Sequence, residues 1–114
     1  MEDESTRQHK VGRQIQKDLA EILRQRGMAS FKGSLVSVTA VKVSPDLSVA
    51  KVYLSIFPSA KAKEVLQIIV ESSKSLRGEL GRIVSKQLRI VPELAFFIDD
   101  SLDYVEKIDK LLKQ

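Results

Sequence analysis

The chain has 114 residues, a length that fits one folded domain with short tails and excludes a two-domain enzyme. It contains no cysteine, so disulfides, thiolate metal sites and cysteine nucleophiles are excluded, and this composition fits a reducing, cytoplasmic setting. Its only histidine is His9, it has no tryptophan, and aromatic residues make up 5%, too few to predict a stacking platform for single-stranded bases. The charged opening MEDESTRQHK is unlike a secretory signal, and no apolar run approaches the roughly 18 residues of a membrane span.

The net charge of +4 conceals an uneven distribution. Residues 1–6 carry Glu2, Asp3 and Glu4 with no cation, and residues 90–114 carry six acids against three lysines. The stretch 7–89 holds sixteen lysines and arginines against six acids, a surplus of ten positive charges. A basic body between acidic ends points to a polyanionic partner, nucleic acid first; an unevenly charged but otherwise inert surface is the plainer alternative.

In chain order, Val11, Ile15, Leu19, Ile22 and Leu23 form a helical stripe over residues 11–26, with Lys10, Arg13, Lys17 and Arg24 on the opposite side. Ser5 or Thr6 is the expected cap and Gly27 the terminator, followed by a loop over 28–34. LVSVTAVKV and LSVAKVYLSIF read as an antiparallel pair of strands joined through Ser44, Pro45 and Asp46. Under strict alternation Val36 and Val38 fall on one face and Val41 and Val43 on the other. A bulge near Ala40, or partial cover on both sides, is therefore expected.

Beyond Pro58 and Ser59 the pattern is helical, with one stripe at Val65, Leu66, Ile69 and Val70 and a second at Leu76, Leu80, Ile83, Val84 and Leu88. Ser72, Ser73 and Ser75 between them compete for backbone hydrogen bonds, which predicts a break. Across from the second stripe stand Lys74, Arg82, Lys86 and Arg89, interleaved with Gly78, Gly81 and Ser85. The small residues either let a phosphate backbone approach or let two helices pack closely. IVPELAFFI gives a third strand with Pro92 near its start, suited to an edge, and Phe96 and Phe97 point to opposite faces. Asp99, Asp100 and Ser101 then cap a terminal helix with a stripe at Leu102, Val105, Ile108, Leu111 and Leu112.

Three strands with helices on one face make a two-layer α+β domain, ordered α-β-β-α-kink-α-β with a C-terminal helix. That order matches a KH-like (type II) fold; a ferredoxin-like arrangement would need a fourth strand, which the sequence does not offer. The expected organisation is an acidic, flexible 1–6, an RNA-binding domain over 7–101, and a helix over 102–114 on or beside it.

VGRQIQKDLAEIL at 11–23, VSPDLSVAKVYL at 43–54, Leu76-Arg77 with Leu80-Gly81, and LRIVPELAFF at 88–97 followed by Asp99, Ser101 and Leu102 together resemble the ribosome-binding factor A family. The resemblance covers about residues 7–112. It implies a KH-type assembly factor that binds 16S ribosomal RNA in the immature 30S subunit near the decoding region, assists late rRNA processing and leaves before translation. It also implies an interhelical Ala-x-Gly kink where this chain has Ser72-Ser73-Lys74, so the kink here either rests on serine back-bonding or is shallower.

The candidate RNA contacts are Arg13, Lys17 and Arg24 on the first helix, with Lys74, Arg77, Arg82, Lys86 and Arg89 around the kinked pair; Arg77 lies at an angle close to the apolar stripe. No Gly-rich phosphate loop or acid–base pair is present, so the expectation is a monomeric, non-catalytic factor without cofactor, metal or membrane partner. A GTPase or a late ribosomal component would supply the trigger for release. The competing reading is a protein-interaction or dimerisation module using the edge strand near 91–98.

Overall fold

The structure is a computed structural model that describes residues 6–84 and 91–99. Helix α1 (Thr6–Arg26) leads to a short 3-10 turn (Met28–Phe31), strands β1 (Leu35–Val43) and β2 (Val49–Phe57), helices α2 (Ala62–Glu71) and α3 (Ser73–Val84), and strand β3 (Glu93–Ile98). The expected terminal helix and Ser5 lie outside the described residues. The presumed loop over 28–34 is partly the 3-10 turn, which buries Phe31, and β3 starts at Glu93, after Val91 and Pro92.

The sheet order is β1-β2-β3, with β2 antiparallel to β1 and parallel to β3. A parallel partner needs a long crossover, which α2 and α3 supply. The register shifts between Val38 and Ala40, leaving Thr39 as the extra residue. That bulge reconciles the two valine pairs: Val36 and Val38 stand opposite Ile56 and Leu54, while Val41 and Val43 stand opposite Val52 and Ala50, so all four reach the helical side.

All three helices pack on this side. Val11, Ile15, Leu19, Ile22 and Leu23 of α1, Val65 and Ile69 of α2, and Leu76, Leu80 and Val84 of α3 meet Ala50, Val52, Leu54, Ile56 and Phe96 in one core. Val70 and Ile83, at the margins of their stripes, are exposed, because each short helix buries only a narrow strip. α1 approaches β1 so closely that a Cβ on Gly12 would lie 2.9 Å from the Val41 carbonyl oxygen. Two glutamines stitch the same seam: Gln8 donates to the Val43 carbonyl (2.8 Å), and Gln16 to the carbonyls of Val38 (3.2 Å) and Thr39 (3.3 Å) at the bulge.

The β1–β2 connection is a hydrogen-bonded knot. The Asp46 carboxylate accepts from the Ser44 and Ser48 hydroxyls, each at 2.7 Å, and from the Ser48 N–H at 3.1 Å; the Ser44 oxygen accepts from the Val49 N–H at 3.1 Å. These bonds hold the Asp46 carboxyl down at a pKa of about 2, the Ser44 hydroxyl contributing most. Leu47 takes a positive φ of 63° inside the turn. The SPDL motif is thus accounted for by turn structure.

Candidate nucleic-acid interface

The break between α2 and α3 falls at Ser72. Its hydroxyl donates to the Ile68 carbonyl (2.9 Å), and its N–H reaches both the Ile68 and Ile69 carbonyls (3.1 and 3.0 Å). This back-bonding satisfies the end of α2 within one residue, and the Ser72 carbonyl then accepts from the Leu76 N–H (2.9 Å) to open α3. A serine thereby makes the break without alanine or glycine.

Lys74 stands exposed in the first turn of α3 and lines two hollows. One, of about 420 Å³, is shared with Arg77, Gly78 and Val91; the other, of about 240 Å³, with Ser73, Arg77, Glu93 and Leu94. A Cβ on Gly78 would meet nothing within 4 Å, whereas one on Gly81 would meet Val91 at 3.3 Å. The two glycines therefore divide the alternatives left by the sequence. Gly81 serves packing, and Gly78 leaves open space beside Lys74.

The other predicted cations separate by what they touch. Arg13 and Lys17 project exposed from the outer side of α1, and among the described residues neither makes an ion pair. Arg24 is also exposed but bonds to Glu21 in its own helix, and its guanidinium holds the Glu21 carboxyl below the usual carboxylate range. Arg77 turns back on the domain, donating to the carbonyls of Pro92 (3.1 Å) and Val91 (2.6 Å), so it fastens α3 to the entry of β3 while still lining both hollows. Arg82 is exposed on α3. Lys86 and Arg89 lie outside the described residues.

Arg26, absent from the predicted set, joins the two basic elements. At the end of α1 it bonds to the Ser75 hydroxyl (3.0 Å) and forms an ion pair with Glu79 of α3. The sequence held no signal for this contact, since the partners are 53 residues apart. His9, the only histidine, sits exposed within α1. Among the described residues no group of three or more His, Cys, Asp or Glu side chains is placed to hold a metal, and no helix is long and apolar enough to cross a membrane.

The geometry therefore brings an exposed basic stripe on α1 and a lysine-lined break between α2 and α3 to the helical layer of an α+β domain. The ribosome-binding factor A family profile matches residues 7–112, nearly the whole chain. The chain belongs to the ribosome-binding factor A family. Its relatives include ribosome-binding factor A of Flavobacterium johnsoniae, 51% identical over 96% of this chain and 85% of that protein, and that of Christiangramia forsetii, 44% identical over 97% and 86%. The fold agrees with the KH-like structures of the family. The crystal structure of ribosome-binding factor A from Thermus thermophilus superposes with a TM-score of 0.69 at 26% identity, covering 80% of this chain and 94% of that one. A homology model of the Thermus thermophilus factor, fitted into the cryo-EM map of a complex between the 30S subunit and the factor, superposes with a TM-score of 0.63 at 27% identity, covering 77% of this chain and 90% of that one.

Proposed function

We propose that this protein is a non-catalytic assembly factor that binds 16S ribosomal RNA in the precursor 30S subunit, assists late rRNA processing, and acts as a monomer in the cytoplasm. The observation that carries the reading is the break at Ser72, where Lys74 lines two hollows next to the open space above Gly78. A compact cation beside a glycine with room above it suits a sugar-phosphate backbone, and Arg13, Lys17 and Arg82 extend the positive surface. The 30S complex of the Thermus thermophilus relative supports the choice of partner. Such contacts hold folded RNA by shape and phosphate, leaving base reading to unpaired nucleotides.

The acidic stretches 1–6 and 90–114 flank the basic body in this reading, and a GTPase or a late ribosomal component triggers release. Co-sedimentation with purified small subunits, and separately with naked 16S RNA, across a salt series tests it. With about five phosphates neutralised, log affinity falls against log salt with a slope of roughly −4. Salt-insensitive attachment, or a concentration-dependent dimer with no affinity for subunits, favours a protein-interaction module using the β3 edge.

A further inference from the structure

The face of the sheet turned away from the helices has its own chemistry. Alternation along the strands puts Lys42 of β1, Lys51 and Tyr53 of β2, and Phe97 of β3 on this side. Lys42 and Lys51 are direct partners in the antiparallel register, and among the described residues neither has an ion-pair partner. Opposed like charges weaken a sheet. Glu93, on this face by the same alternation, stands opposite Val49 at the start of β3.

Beside the lysines, Tyr53 stacks on Phe97 with ring centroids 5.5 Å apart and an interplanar angle of 28°. Phe97 remains 41% exposed. A hollow of about 430 Å³ lies over Lys42, Ser44, Pro45, Val49, Lys51 and Tyr53, within the size range of small-ligand sites. Thus two cations without an ion-pair partner among the described residues and an aromatic ring border one hollow, on the side of the sheet opposite the break. Cations that follow a phosphate backbone, next to rings that accept a base, are what single-stranded nucleic acid requires.

We infer that the open sheet face, through Lys42, Lys51 and the Tyr53–Phe97 pair, is a second RNA site that takes unpaired nucleotides. It extends the RNA reading above and is tested separately from it. The phosphates lie along Lys42 and Lys51, and a base stacks at Tyr53. The domain then holds RNA on two opposite surfaces, one fitted to a folded backbone and one to a single strand.

The tyrosines are Tyr53 and Tyr104, and there is no tryptophan, so full-length Tyr104→Phe protein reports on Tyr53 alone. Titration with a ten-nucleotide unpaired RNA is expected to quench Tyr53 fluorescence along a saturable curve. Changing Lys42 and Lys51 together to Thr weakens that binding roughly tenfold while raising thermal stability, since the like-charge pair is gone; Lys74→Glu leaves the quenching in place. Absent quenching, or quenching unchanged in the double variant, overturns the inference, and if subunit attachment still depends on Lys74 the first site stands. If Tyr53 is shielded from a neutral quencher in the free full-length protein and binds RNA only after residues 100–114 are removed, the C-terminal segment is the occupant and the inference fails.

Discussion

The Gln16 side-chain amide on α1 donates to the carbonyl of Val38, 3.2 Å away, at the point where β1 loses its regular pairing with β2. A bulge leaves backbone groups without strand partners, and Gln16 supplies donors to Val38 and Thr39 together. The Gln16→Leu variant is expected to lose about 1 kcal/mol of stability, read from urea unfolding, with small-subunit attachment unchanged. An unaffected midpoint would mean that water serves the bulge equally well.

Gly12 and Gly78 are both helical glycines with opposite surroundings. A Cβ at Gly12 collides with the Val41 carbonyl, so α1 must lift off β1, and Gly12→Ala is expected to cost roughly 1–2 kcal/mol even after the gain in helix propensity. At Gly78 nothing stands in the way, and Gly78→Ala is expected to stabilise by about 0.5–1 kcal/mol. Thermal melts of the two variants therefore shift in opposite directions. Gly78→Ala also weakens attachment to the subunit, because the methyl intrudes on the space beside Lys74.

The Ser34 hydroxyl is fully buried and has no hydrogen-bond partner among the described residues. Its backbone N–H is already satisfied by the Phe31 carbonyl at 2.9 Å. Removing the hydroxyl discards an uncompensated desolvation cost, so Ser34→Ala is expected to raise stability by about 1 kcal/mol. A loss of stability in equilibrium unfolding would show that the oxygen has a partner in solution.

Acid should loosen the β1–β2 turn at a defined point. The Asp46 carboxyl titrates at about 2 in the folded chain, below its value in an unfolded one, so its contribution is complete above the unfolded pKa and is lost as pH falls through about 2. Between pH 4 and pH 2 the wild-type midpoint is expected to fall more steeply than that of Asp46→Ala. Equal slopes would contradict the bonding seen in the turn.

The α+β order, the bulge and the break at the serines were legible because each depends on residues near in sequence. Val36 and Val38 against Val41 and Val43 can share a face only through an inserted residue, and Ser72 carries its own acceptor four residues back. What could not be read depends on distant partners. The parallel register of β3 decides that Phe97 meets Tyr53, so a composition poor in aromatics still gathers two rings on one face. Arg77 is a candidate RNA contact whose helical angle lies close to the apolar stripe, and the carbonyls of Val91 and Pro92, set there by the approach to β3, capture its guanidinium. Arg26 shows the reverse case, an unremarked cation that links α1 to α3.

The salt dependence of attachment to purified 30S subunits, compared between the wild type and a variant carrying Arg13→Glu, Lys17→Glu and Lys74→Glu, tests the proposed function most directly. All three side chains are exposed, so folding should be preserved and a thermal melt verifies it. The account predicts a wild-type slope of roughly −4 in log affinity against log salt, falling to about −2 in the variant with much weaker binding at low salt. Equal slopes and equal affinities would place the contact with the subunit elsewhere on the molecule and contradict the account.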